Sequence, residues 1–214
     1  MLDQRKRMGR RAIRPLAPLA LAMSFVLGTL AAQPAAAQFS DSYRFLEAVR
    51  KSDNSKIVEV LETPGVTPIN TRDRTNGETA LLIVVGRRDQ TMTNYLLSRG
   101  ARPDISDNNG RSPLMLAVER RFVEGAQLLL ANKADVDQTN SSGETPLIRA
   151  VQMRDIEMVR LLITNGADPG RRDTLAGMSA LDYAKAGAPM SGMMDLLASG
   201  KKKERSKAMQ GPVL

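Results

Sequence analysis

The sequence predicts an all-α repeat solenoid of about five units, and three observations lead there. A five-residue string recurs at a fixed interval: Gly77-Glu78-Thr79-Ala80-Leu81, Gly110-Arg111-Ser112-Pro113-Leu114, Gly143-Glu144-Thr145-Pro146-Leu147 and Gly177-Met178-Ser179-Ala180-Leu181. The glycines lie 33, 33 and 34 residues apart. Second, two further columns keep that step: Leu96, Leu129, Leu162 and Leu196, then Gly100-Ala101, Lys133-Ala134 and Gly166-Ala167. Third, the apolar residues after each string fall at helical intervals, one stripe per helix. A single helix pair cannot enclose such a stripe, so neighbouring units must cover it.

Each position in the unit has a physical reason. Ser or Thr ahead of Pro caps a helix start, and Pro at the first helical position lacks only an amide that would have had no partner. Leu follows, and Ala three residues later (Ala117, Ala150, Ala184) is small enough to let adjacent helices approach. The Asn/Asp/Gly-rich stretches 104–110 and 137–143 supply the turns between units. The ends should be irregular. Tyr43 to Leu61 forms two short amphipathic helices without the Thr-Pro-Leu opening. Met178 to Leu197 keeps Leu181, Ala184, Leu196 and Leu197, but Gly187 and Pro189 interrupt it.

These strings resemble the ankyrin repeat, whose Thr-Pro-Leu-His-x-Ala signature is approached by Ser112-Pro113-Leu114-Met115-Leu116-Ala117, Thr145-Pro146-Leu147-Ile148-Arg149-Ala150 and, more loosely, Thr79-Ala80-Leu81-Leu82-Ile83-Val84. The resemblance implies a β-turn and two antiparallel helices per unit, with units at about 40–76, 77–109, 110–142, 143–176 and 177–200. Two departures stand out. The signature His, which in the family bridges neighbouring loops, is replaced by Leu82, Met115, Ile148 and Asp182. The turn between the two helices, where the family favours Gly, holds Arg88, Arg121 and Arg154. Either that turn takes another conformation or three arginines accept a backbone cost.

Residues 1–37 read as a secretory signal. Arg5, Lys6, Arg7, Arg10, Arg11 and Arg14 precede an uncharged run from Leu16 to Ala32, and small residues at Ala35 and Ala37 place cleavage after Ala37. An uncleaved anchor is the alternative, although 17 residues containing Pro18 are short for one. Arg10-Arg11-Ala12-Ile13 is similar to a twin-arginine signal, so both export routes stay open. The Ala-rich style points to a bacterial periplasm. With no Cys in the chain, lipoprotein modification and disulfides are excluded.

Charge follows the same division. The net charge of +8 comes from the ends, because residues 1–37 carry +5, residues 201–214 carry +4 and residues 38–200 carry −1. The high pI is therefore a property of the two ends and points to no nucleic-acid groove in the body; no nucleic-acid partner is expected. Residues 201–214 read as a basic disordered tail.

The absence of His and Cys excludes a Ser-His-Asp triad, a thiolate nucleophile and a zinc finger. Ser52-Asp53-Asn54, Ser106-Asp107-Asn108 and Ser199-Gly200-Lys201-Lys202 resemble strings of penicillin-binding enzymes, but Lys-Thr-Gly is missing. Asp104, Asp107, Asp135 and Asp137 lack EF-hand spacing and read as turn residues. No enzyme, cofactor or metal is expected; the 12 Met residues read as core filler.

Function then falls to the surface. The resemblance implies a concave binding face for another protein, on a monomer. The turn tips and exposed first-helix positions give Arg72, Arg87, Ser106, Glu119, Arg120, Thr139, Gln152, Met153, Arg171 and Arg172 as the binding set. The column Arg88, Arg121 and Arg154 forms an alternative edge that would meet an acidic strip on a partner. A second reading is an envelope-associated adaptor, held at anionic lipid by Lys201, Lys202, Lys203, Arg205 and Lys207 or by the N-terminal segment.

Overall fold

Two antiparallel helices per unit, stacked side by side, make up the protein in a computed structural model that describes residues 35–64, 68–187 and 192–200. The first unit pairs α1 (Ala35–Arg50) with α2 (Asn54–Glu62), followed by a 3-10 turn at Pro68–Asn70. Then come α3 (Ala80–Gly86) with α4 (Gln90–Ser98), α5 (Pro113–Glu119) with α6 (Val123–Ala131), and α7 (Pro146–Gln152) with α8 (Ile156–Thr164). The last unit holds α9 (Ala180–Ala186) and a helix over 193–200, here α10. Among the described residues the only β-type pairing is the isolated bridge between Arg172 and Ser179.

The signal reading falls on residues 1–34, outside the described residues, except that Ala35, Ala36 and Ala37 open α1. The interruption at Pro189 and the tail 201–214 also lie outside them. One expectation needs correcting. The first unit was to have two short helices, yet α1 runs for 16 residues. A terminal helix has no preceding unit to set where it starts. At the other end Gly200 belongs to α10, and a Cβ there would come within 2.8 Å of Ile163 Cδ1.

The helices start where the sequence sets them. Thr79, Ser112, Thr145 and Ser179 are extended N-caps whose hydroxyls accept the amides of Leu82, Met115, Ile148 and Asp182. Those four caps are buried and satisfied, so each contributes about 1 kcal/mol. The core runs through the stack from Phe45 to Leu197, and Leu96, Leu129 and Leu162 lie along it fully buried. First helices meet first helices (α1 with α3, α3 with α5, α5 with α7, α7 with α9), while α4 meets α6 and α6 meets α8. Burial is thus a property of neighbouring units, as the stripe pattern requires.

Replacement of the signature His has a clear consequence. Leu82, Met115 and Ile148 point into the core and are at most 1% exposed. The loops are tied by backbone instead: Asn108 N–H donates to the Asn76 carbonyl at 2.9 Å, Ser141 N–H to Asn109 at 3.1 Å and Thr174 N–H to Ser142 at 3.1 Å. This close approach explains the glycine column. Gly110 and Gly143 have φ of +73° and +71°, and a Cβ on either would sit 2.8 or 2.7 Å from the next tip's amide nitrogen.

Candidate partner-binding surface

Each tip is built around one polar side chain. Asp73, Asp107, Asn140 and Asp173 accept amides of their own turns, from Thr75, Asn109, Ser142 and Ala176. Asp73 also takes a 2.6 Å hydrogen bond from Arg50, and the guanidinium with the Thr75 amide lowers its carboxyl to about 2. In the last unit the Tyr183 hydroxyl donates to Asp173 at 2.6 Å, which lowers the carboxyl and raises the phenol. The aspartates considered for calcium are engaged in this framework. Asp104 and Asp137 accept amides of the following unit, from Asp135 at 2.9 Å and Asp168 at 3.2 Å. Among the described residues no group of three acids forms a metal cage.

Beside the tips, a chain of charges runs from Asp107 and Arg111 through Glu119, the last residue of α5, to Arg149 of α7. Arg111 is held by Asp107 at 2.7 Å and reaches Glu119 at 3.5 Å. Glu119 faces Arg149 across the next unit at 4.0 Å, and Gln152 donates to Glu144 at 3.1 Å. Arg149 Nε is buried without a hydrogen-bond partner, although its Nη1 donates to Gln152. Arg111, Glu119 and Arg149 stay partly exposed along this chain, which suits a charged surface read by a second molecule.

The opposite edge is formed by the turns within units. Arg88, Arg121 and Arg154 have φ of 60°, 51° and 56°, so the turn keeps the left-handed geometry glycine would favour and the arginines bear the cost. Arg88 lies 5.9 Å over the Phe122 ring, and Arg121 donates to the Met153 carbonyl at 2.7 Å with Asp155 at 3.6 Å. Arg154 has no such partner among the described residues and lines a cleft of about 340 Å³ between the ends of α7 and α9.

Family models agree with this geometry. A model described as ankyrin repeats (3 copies) matches residues 45–140, and one described as ankyrin repeats (many copies) matches residues 123–163. The chain belongs to the ankyrin repeat family. No curated protein matches this ankyrin repeat chain. Ankyrin repeats generally mediate protein–protein interaction, and proteins built from them are typically non-enzymatic adaptors.

The residues singled out from the sequence divide into two groups. Several are engaged within the chain. Arg72 donates to the Gly77 carbonyl and to Asn108, and Arg87 to the carbonyls of Val49 and Arg50 at the end of α1. Ser106 accepts from Gln138, and Arg172 is held by Gly177 and Asp182. Glu119 and Gln152 belong to the charge chain. Met153 is half-buried against the core and Thr139 is half-buried, while Arg120 and Arg171 are exposed. Arg111, Glu144 and Arg149 were missed. A comparison of the column Ile83, Leu116 and Arg149 on the first helices would have flagged Arg149 as a cation among aliphatics.

The serine strings have structural work. Asp53 caps α2 through the Lys56 amide, and Ser199 Oγ donates to the Leu196 carbonyl at 2.6 Å. No helix of the described residues is long and apolar enough to cross a membrane.

Proposed function

We propose that this ankyrin repeat protein is an exported, non-enzymatic binding module that holds another protein against the face formed by the tips, the Glu119 end of α5 and the Arg149–Gln152 side of α7. The observation that carries the reading is the Asp107–Arg111–Glu119–Arg149 chain, which crosses two units and keeps Arg111, Glu119 and Arg149 partly exposed. Such half-desolvated charges give specificity more than affinity, because a wrong partner leaves them unpaired. Export is supported by the basic and Ala/Leu-rich N-terminal segment, and the compartment proposed is the periplasm.

The experiment is affinity capture from periplasmic extract, comparing the 38–214 protein with its Glu119→Ala/Arg149→Ala double variant, which removes both charges of one pair together. The expected result is a protein enriched by the parent and reduced at least tenfold by the variant, with melting temperatures within a few degrees. Equal capture by both, or no enrichment, would sink the reading. N-terminal sequencing of the periplasmic form should begin at Gln38; a cytoplasmic protein with an intact N-terminus would refute the export.

A further inference from the structure

The turns within units form a basic edge that is stitched together from one end and left open at the other. Arg87 closes the first gap by donating to the Val49 carbonyl at 2.6 Å. Arg88 closes the second over Phe122, and Arg121 closes the third through the Met153 carbonyl and Asp155. At the fourth gap α9 ends in Gly187, whose φ of −81° is not the left-handed turn of the other units. No capping Asp follows it as Asp53, Asp89 and Asp155 follow their turns. Arg154 therefore meets no acceptor among the described residues. The gap remains as the 340 Å³ cleft, walled by Val151, Gln152, Tyr183, Met193 and Met194. Met194 is one of three exposed large apolar side chains among the described residues.

We infer that this edge is a second docking surface, for an extended acidic segment of a partner protein that seats a carboxylate on Arg154 and an aliphatic side chain in the cleft. Three observations fit that occupant. The edge presents Arg87, Arg88, Arg120, Arg121, Arg154 and Lys185, all exposed. The acids on the same turns, Asp89 and Asp155, already cap α4 and α8. Arginine prefers planar carboxylate partners in paired hydrogen bonds. Apart from the cleft residue Met194, the exposed large apolar side chains, Tyr43 and Leu175, belong to α1 and to a tip. A lipid surface would call for apolar residues spread along the edge to insert between headgroups.

The repeat also sets a spacing. Packed helix layers lie about 8–10 Å apart, and a chain in the extended polyproline II form returns to the same face every three residues, about 9.3 Å along. Carboxylates at every third residue would then face Arg88, Arg121 and Arg154 in turn.

The probe is a fluorescein-labelled twelve-residue peptide with Glu at every third position and Leu beside the terminal Glu, read by anisotropy with the 38–214 protein. The controls are the same peptide with Gln for Glu, a peptide with its Glu residues contiguous, and phosphatidylglycerol vesicles. The spaced peptide should bind at least fivefold more tightly than the contiguous one, and the Gln peptide should fail to bind. Arg154→Glu and the cleft-filling Ala186→Trp should each weaken binding tenfold or more with no loss of melting temperature, and Arg120→Glu two- to fivefold. Indifference to both Arg154→Glu and Ala186→Trp, no binding of the spaced peptide, or binding to vesicles alone would overturn the inference. It rests on the protein-binding reading but fails separately: capture that survives Arg154→Glu and is lost in Glu119→Ala/Arg149→Ala removes this edge and leaves the main face standing.

Discussion

Asp73 shows how much one side chain does for a tip. It accepts the Thr75 amide at 2.7 Å on one oxygen and the Arg50 guanidinium on the other, tying the second unit to the end of α1. Its folded pKa of about 2 lies below the usual carboxylate value. A lowered carboxylate contributes stability that is complete above about pH 4 and disappears as pH falls through about 2. Asn140 occupies the same place two units later and likewise accepts the amide two residues on, so Asp73→Asn should keep the turn and lose only the charge. Urea unfolding at pH 7 should show a loss of about 1 kcal/mol, the partial exposure of Arg50 holding it below a buried pair. At pH 2, where Asp73 is about half protonated, most of that difference should be gone. A deficit undiminished between pH 7 and pH 2 would mean that the turn itself was damaged.

At the scale of the helix, α6 is the exception. Asp53, Asp89 and Asp155 cap α2, α4 and α8, whereas α6 starts at Phe122, which makes no cap and is 2% exposed. The ring lies over Gly125, where a Cβ would come within 2.2 Å of it. Gly→Ala in a helix ordinarily stabilises by about 0.5–1 kcal/mol, but here the ring must move, and overpacking costs about 1–3 kcal/mol. Gly125→Ala alone should therefore destabilise. In a Phe122→Asp background, which restores the cap of the other units, the same change should stabilise; denaturant midpoints of the four proteins decide the sign. Helix starts, the apolar columns and the tip glycines were legible because one backbone geometry demands those residue types. The longer α1, the Phe122–Gly125 packing and the charge chain through Arg149 were not, since they depend on which neighbour a side chain meets. The arginine column was visible as a pattern, but the sequence does not tell that Arg88 and Arg121 find partners while Arg154 has none among the described residues.

For the whole stack, stability is the sum of unit terms and nearest-neighbour interfaces, so the weakest interface decides where opening begins. In α5 every residue from Pro113 to Val118 is buried, and in α7 five of seven are, but in α9 only Ala180 is. The cleft beside Arg154 removes further contact between the last two units. The first unit is better anchored, with Phe45, Leu46, Ala48, Val49, Ile57 and Val60 buried against its neighbour. Opening should start at the C-terminal end and spread inward, with local opening free energies rising toward the middle. Native-state hydrogen exchange should find the amides of α9 and α10 protected by at least 2 kcal/mol less than those of α5, a factor of about thirty in exchange rate. Amides of α1 should fall between. Ala186→Trp, which fills the cleft, should slow exchange in α9 and leave α3 unchanged, because its effect passes only to the adjoining unit. Equal protection along the stack would show instead that the five units open as one.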